Sequence, residues 1–237
     1  KAAETLDSNH VDGLVVIGGD GSFRGALELS ARTSTLMVGI PATIDNDVYG
    51  TDETIGFDTA VNTAVAEIDK IRDTAISHER VFIVEVMGRK RGFLAVTVGL
   101  SVGAEVILIP ENTCKMDHLV GTIKENARKG KRAGIIVAAE GCGKISEFAK
   151  EIEEKTGAEV RLSIIGYAQR GGSPTARSRL LASLFAEKAV GLLCLEQGNR
   201  VIGLLKGKIE STDLGVVCER QKKLDRTLIN LAEMLST

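Results

Sequence analysis

Two short segments concentrate the groups that phosphoryl chemistry needs. Gly18-Gly19-Asp20-Gly21-Ser22 follows the apolar run Leu14–Ile17 and precedes a stretch of helical pattern beginning near Phe23. Glycines let backbone N–H groups approach a phosphate, and a following helix N-terminus adds partial positive charge to hold it. Asp20, at the carboxyl end of a strand, stands where a Mg²⁺ ligand is wanted. The segment fits neither the Walker pattern nor G-x-G-x-x-G, and a plain glycine turn with Asp20 as helix N-cap is the alternative. The second segment, Pro41-Ala42-Thr43-Ile44-Asp45-Asn46-Asp47, offers two carboxylates, a hydroxyl and an amide after the next strand. Adjacent strand ends of a parallel sheet bring Asp20 and Asp45 within reach of one metal phosphate and one substrate hydroxyl, although Asn and Asp are also ordinary turn residues.

Arginines stand beside other strand ends. Arg80 precedes one strand, Arg89 follows it in Met87-Gly88-Arg89, and Arg170 lies in Gln169-Arg170-Gly171-Gly172. Guanidinium groups bind phosphate bidentately, while most arginines are simply solvated. His78 beside Glu79 has no assigned role. Arg128-Lys129-Gly130-Lys131-Arg132 is a basic patch at an expected helix end, where it either complements the helix dipole before a C-cap glycine or binds an anion.

The elements that must position these residues alternate in type. Runs of strand length at Gly13–Ile17, Leu36–Ile40, Val81–Val86, Val106–Ile109, Gly134–Ala138, Arg161–Ile165 and Arg200–Leu205 are separated by segments of helical period. Val61, Ala64, Val65, Ile68 and Ile71 share one helix face, as do Ile145, Phe148, Ala149 and Ile152. The pattern predicts βα units and a mostly parallel sheet. Glu219–Thr237 also reads as helical, with Leu224, Leu228, Leu231 and Leu235 on a stripe. No linker interrupts the chain, so a domain boundary is expected in a short loop.

The 237 residues are 43% hydrophobic and 26% charged, and 30 Lys and Arg oppose 32 Asp and Glu. That composition excludes disordered and fibrous classes and argues against nucleic acid as a partner. No apolar run is long enough to cross a membrane and no charged-then-apolar leader opens the chain, so a soluble, cytoplasmic protein is expected. Cys114, Cys142, Cys194 and Cys218 are widely spaced and histidines number three, which argues against zinc and disulfide scaffolds.

Taken in order, these segments closely resemble the 6-phosphofructokinases. The resemblance is carried by the two loops above together with Thr54-Ile55-Gly56-Phe57-Asp58-Thr59-Ala60, Arg72-Asp73-Thr74-Ala75, Ser77-His78-Glu79-Arg80, Val84-Glu85-Val86-Met87-Gly88-Arg89 and Gln169-Arg170-Gly171-Gly172-Ser173-Pro174. It implies two interleaved Rossmann-like α/β/α lobes with mostly parallel sheets and an active site between them. Residues 1–56 and 169–219 would form the nucleotide lobe, and 57–168 and 220–237 the substrate lobe. The implied reaction moves the γ-phosphoryl of ATP to the 1-hydroxyl of fructose 6-phosphate, a step of glycolysis. Asp45 would be the general base and Arg89 its catalytic partner, with Gly19, Asp20, Gly21 and Ser22 on the nucleotide and Asp20 on Mg²⁺. Thr43, Asp47, Met87, Gly88, Glu140, Tyr167 and Arg170 match substrate positions. Arg80 and Arg161 match arginines that reach the sugar 6-phosphate from a neighbouring subunit, which implies a homotetramer with shared sites. Arg72, Gly103, Glu105, Lys129 and Lys131 match the allosteric nucleotide site of bacterial relatives.

Two departures from the family pattern stand out. The family's first strand and early glycine-rich nucleotide loop are absent from this sequence, so a lobe lacking part of its ATP and effector sites is expected. Tyr167 stands where bacterial relatives usually carry histidine, and a phenol also donates a hydrogen bond to phosphate. Pyrophosphate-dependent relatives carry aspartate in place of Gly21 and lysine in place of Ala42, so both residues here point to ATP. The rival readings are a pyrophosphate-dependent enzyme of the same fold and a non-catalytic subunit that binds sugar phosphate or nucleotide. An NAD kinase shares the first loop, as lipid kinases do, but has no use for Thr43-Ile44-Asp45-Asn46-Asp47.

Overall fold

β-Branched and aliphatic runs between glycines favour short buried strands, and the charged stretches between them favour helices. The computed structural model, which describes residues 1–112, 116–131 and 133–235, bears this out. From the amino terminus come α1 (Ala2–Ser8), β1 (Gly13–Gly18), α2 (Asp20–Ser30), β2 (Leu36–Thr43), β3 (Ile55–Gly56) and α3 (Phe57–Ser77). These are followed by β4 (Val81–Val86), α4 (Phe93–Val102), β5 (Val106–Leu108), α5 (Met116–Arg128), β6 (Gly134–Ala139) and α6 (Ile145–Thr156). The chain ends with β7 (Val160–Ile164), α7 (Ala176–Cys194), β8 (Arg200–Leu205), β9 (Lys208–Asp213), α8 (Leu214–Glu219) and α9 (Arg226–Leu235). Contacts divide it into two compact units, Lys1–Asp58 with Pro174–Lys223 and Thr59–Ser173 with Leu224–Thr237.

The first unit is a sheet in the order β1-β2-β8-β9, with β3 added beside β2. β1, β2 and β8 are parallel, with Gly13 opposite Leu36 and Gly18 opposite Pro41. Successive side chains of a strand face opposite ways, so the sheet is buried on both sides. Met37 and Val201 pack with Phe23, Leu214 and Val217 under α2 and α8. Val38 and Ile202 pack with Leu181 and Phe185 of α7 on the other side. A Cβ at Gly39 would come within 2.7 Å of the Phe23 ring, so glycine makes the room that ring occupies.

The second unit is a parallel sheet in the order β5-β6-β4-β7. Ile83, Leu108, Leu119, Ile136 and Ile152 form its core beneath α5 and α6. α4 is apolar on nearly every side, and Phe93, Leu94, Ala95, Val96 and Val98 are all buried, as expected of a helix inside a unit rather than on it.

Several sequence expectations need correction. Glu219–Thr237 is not one helix: α8 ends at Glu219, Arg220–Asp225 is irregular, and α9 begins at Arg226, leaving Leu224 outside the stripe. The Asp225 carbonyl and carboxylate accept the Leu228 and Thr227 amides and start α9 there. β9 goes unseen in the sequence because its residues are mostly polar, and it pairs antiparallel with β8 around Lys206 and Gly207, both at positive φ. One crossing between the units falls in the first turn of α3 rather than in a loop. The basic patch closes α5 as a C-cap, with Gly130 at φ 84° and the Gly130 and Lys131 amides bonded to the Ala127 and Asn126 carbonyls. Arg132 and Cys114 lie outside the described residues, as do the last two of the expected terminal helix; Cys142, Cys194 and Cys218 form no disulfide. No described helix is long and apolar enough to cross a membrane.

Where β8 passes beneath the segment after β2, a Cβ on Gly203 would overlap the Gly50 carbonyl oxygen. Replacing this glycine forces backbone apart, whereas the space beside Gly21 is open. Gly203→Ala is therefore expected to lower unfolding free energy by about 2 to 3 kcal/mol, against less than about 1 kcal/mol for Gly21→Ala. Urea midpoints followed by circular dichroism test the contrast, and equal midpoints would refute it.

Candidate active site

β1 delivers Gly18 and Gly19 to the amino end of α2. Gly19 is the N-cap with extended backbone, and its carbonyl accepts the Ser22 and Phe23 amides. Asp20 is thus the first helical residue and not the cap. The earliest amides of α2 are those a helix leaves without an internal acceptor, and they face the positive end of its dipole. Gly18 must be glycine because a Cβ there would overlap Ser22, whereas a Cβ on Gly21 would meet nothing within 4 Å. Packing therefore does not explain Gly21, and the room it leaves lies beside the helix N-terminus. The Asp20 carboxylate is half-exposed and pairs with Arg24 at 2.9 Å.

The second loop stands next to the first, since a Cβ on Gly19 would lie 3.3 Å from Thr43 Cβ. The Thr43 hydroxyl accepts the Asp45 amide at 3.2 Å, and the Thr43 carbonyl accepts the Thr54 hydroxyl at 2.7 Å. Asn46 adopts a left-handed backbone at φ 53° and is buried. Its Oδ1 accepts the Thr54 amide at 3.1 Å and the Lys222 ammonium at 2.8 Å, while its Nδ2 donates to the Asp52 carbonyl. A buried amide so committed fixes the turn, and Asp45 and Asp47 flank it. Asp52 and Thr51 in turn bind β8 and its hairpin: the Thr51 hydroxyl accepts the Leu204 amide and the Asp52 carboxylate accepts the Lys206 amide.

In the second unit, Met87-Gly88-Arg89 follows β4. Gly88 has φ 133° and a Cβ would press on the Arg91 carbonyl, so glycine is required. The Met87 amide donates to Gln169 Oε1 at 2.8 Å, and the Arg89 amide donates to the Glu140 carboxylate. Glu140 therefore anchors the loop backbone. Burial, then the nearby Glu140, pushes the Glu85 carboxyl above its ordinary range. The Arg170 guanidinium lies 5.1 Å from the centre of the Tyr167 ring, and both are exposed.

Arg80 and Arg161 share one carboxylate. Arg80 Nε is 2.9 Å from Glu159 Oε1, and Arg161 pairs with the same oxygen. The two guanidiniums, Arg80 foremost, hold the Glu159 carboxyl below the usual range. Arg80 and Glu159 lie at the amino edge of the β4–β7 sheet, with Arg161 one register step inside it opposite Phe82, whereas Arg89 follows the carboxyl end of β4. At the same amino edge Arg72, Glu105 and Lys131 line a cavity of about 400 Å³. The Lys131 ammonium lies 2.6 Å from the nearly buried Glu105, and Arg72 donates to the Val102 carbonyl. Lys129, just past α5, instead faces Glu125 of that helix, and Gly103 is the left-handed cap of α4; neither lines that cavity.

Sequence reasoning missed Asn46 as a structural joint, and also Lys222, Gln169 and Glu159. The Asn between two Asp residues carried a usable signal, because Asn tolerates the left-handed region. Nothing local marks the other three.

The family model described as Phosphofructokinase matches residues 1–193. Over 236 residues the chain is 50% identical to the ATP-dependent 6-phosphofructokinase of Lysinibacillus sphaericus and 47% to that of Listeria welshimeri, covering all of itself and 74% of each relative. Among solved structures, phosphofructokinase from Saccharomyces cerevisiae superposes with a TM-score of 0.83 at 30% identity, over 98% of this chain and 34% of that one. With half of its residues shared along its whole length and a family match that takes in both loops of the first unit, the chain belongs to the phosphofructokinase family.

Proposed function

We propose that the protein is an ATP-dependent 6-phosphofructokinase, transferring the γ-phosphoryl group of ATP to the 1-hydroxyl of fructose 6-phosphate. The observation that carries the reading is the juxtaposition of Gly19 with Thr43, which places a phosphate-type helix N-terminus beside a loop bearing Asp45. In this reading Asp45 takes the proton of the sugar hydroxyl. The α2 amides, Gly19, Gly21 and Ser22 hold nucleotide phosphates, and Thr43 and Asp47 complete the first unit's share. Met87, Gly88, Arg89, Glu140, Tyr167 and Arg170 serve the sugar phosphate, with Arg89 placing positive charge against the transferring group. Fixed position and charge neutralisation supply most of the catalysis.

Mg²⁺ suits the residues present. No group of three or more acidic, histidine or cysteine side chains among the described residues is arranged to hold a metal, and Mg²⁺ on a nucleotide needs only one or two carboxylates besides phosphate oxygens. Asp20 would supply that carboxylate after leaving Arg24, and the ion would neutralise phosphate charge.

Arg80 and Arg161 lie toward the opposite end of the second unit's sheet from Arg89. In this reading they serve the sugar phosphate of a neighbouring copy, in a cytoplasmic homotetramer. Arg72, Glu105 and Lys131 are the charged lining of a proposed effector pocket.

A coupled assay with fructose 6-phosphate and either donor tests the reaction. Asp45→Asn is expected to lower kcat by at least about 10²-fold while substrate still binds, and a near-normal kcat would sink the assignment of the base. Mixed oligomers of Asp45→Asn and Arg161→Ala chains should regain activity, since one kind of hybrid site carries both native residues; verified mixtures that stay inactive would count against sharing. For the donor, Mg-ATP should give a far higher kcat/KM than pyrophosphate, and Gly21→Asp should impair ATP use by filling and charging the open space at the α2 N-terminus. A preference for pyrophosphate in the unmutated protein would overturn the donor.

A further inference from the structure

Lys222 lies in the irregular segment after α8, far in sequence from every motif above. Its ammonium is partly buried against the loop that carries Asp45, donating to Asn46 Oδ1 at 2.8 Å and to the Asp52 carbonyl at 3.0 Å. Those two acceptors already meet each other, because Asn46 Nδ2 donates to the same Asp52 carbonyl. Lys222 thus closes a three-part joint around the left-handed residue between Asp45 and Asp47. The segment carrying it is fixed independently by Arg220, which donates to the Tyr49 hydroxyl at 3.1 Å and lies 5.7 Å from the centre of that ring.

We propose that Lys222 is a positioning residue for phosphoryl transfer: its charged ammonium holds Asn46, and Asn46 sets the direction of Asp45. The role rests on the reading of Asp45 as the base. An ammonium bonded to a carbonyl-type oxygen is the strong kind of hydrogen bond, and here it secures a backbone conformation that a non-glycine residue adopts reluctantly.

The charged groups facing Lys222 are Asp47, Asp52 and Glu53, all from the segment after β2. Glu53 is itself paired with Arg177 at 2.7 Å, and the Asp52 carboxylate accepts the Lys206 amide. Burial outweighs these carboxylates and lowers the Lys222 ammonium to about 8. Two opposite consequences follow as pH rises through that value. The native protein loses the proton first, so the joint changes from a charged donor to a neutral amine and kcat falls. The unfolded chain keeps its lysine proton until about pH 10.4, so across this window it binds more protons than the native state and Lys222 makes stability rise with pH. A residue with only a structural role would not move kcat against stability in this way.

The test uses the complete protein with saturating Mg-ATP and fructose 6-phosphate, recording kcat and urea midpoint from about pH 6.5 to about pH 9.5, a range that brackets the Lys222 transition. The native protein should show an alkaline fall in kcat centred near pH 8. Lys222→Arg keeps the charge throughout, so it should retain activity at neutral pH and lose both the fall in kcat and the rise in midpoint. Lys222→Met should lower kcat about tenfold at neutral pH, the order expected from losing one charge-assisted hydrogen bond. An unchanged alkaline fall in Lys222→Arg, or a native kcat in Lys222→Met, would overturn the role. Should Lys222→Met not fold, the arginine variant decides alone. Absence of any turnover in the native protein overturns the reaction and this role with it, whereas turnover with an unaltered profile in Lys222→Arg overturns the role only.

Discussion

The buried amide of Asn46 is the constraint on which the loop after β2 depends. A parallel sheet delivers its strands to a common carboxyl edge, but a strand end alone gives no fixed direction to the side chains beyond it. Here the residue between the two carboxylates is turned into the left-handed region and its side chain is spent entirely inside the protein, on Thr54, Asp52 and Lys222. Asp45 and Asp47 project from either side of a joint that cannot rotate without exposing or orphaning a buried amide, a loss of the order of 1 to 3 kcal/mol for each unsatisfied group. The backbone beneath is held as firmly, because Gly203 admits the Gly50 carbonyl into van der Waals distance of the sheet.

The loop of the second unit is built by a different device with the same result. Gly88 supplies a backbone conformation closed to other residues, and two side chains then capture the amides on either side of it: Gln169 that of Met87, Glu140 that of Arg89. The family resemblance implies a substrate contact for Glu140. Its carboxylate accepts the Arg89 amide, a bond that fixes its position beside the loop. Asp20 likewise begins with a partner, Arg24, but that pair is exposed and of the weak surface kind, so little holds its carboxylate there.

What the sequence made legible was the part of the fold governed by local pattern. β4 and β8 begin and end where their apolar runs do, and the two glycine-bearing loops fall at strand ends as their composition requires. β9 was hidden because Lys208, Glu210, Thr212 and Asp213 give it no apolar face of its own and a Lys-Gly turn is a faint hairpin signal. The break between α8 and α9 was hidden for a different reason: the apolar stripe starts inside it at Leu224, while Lys222 and Arg220 are drawn into tertiary contacts. Lys222, Gln169 and Glu159 share this character. Each acts on a residue remote in the chain, and no spacing rule reports such a partner.

The placement of charge along the second unit's sheet follows from the same geometry. At the carboxyl edge of a parallel sheet the following helices present their N-termini, so backbone amides and dipoles carry part of an anion's charge and few cations are needed. The amino edge has the negative ends of those helices instead. An anion site there must bring its own cations, and Arg72, Lys131, Arg80 and Arg161 are gathered at that edge. Left unopposed, these cations would repel one another, and Glu105 and Glu159 each take up part of that charge from within hydrogen-bonding distance. The carboxylates therefore make it possible for these arginine and lysine side chains to stand along one edge of the sheet, Lys131 against Glu105 and Arg80 with Arg161 against Glu159.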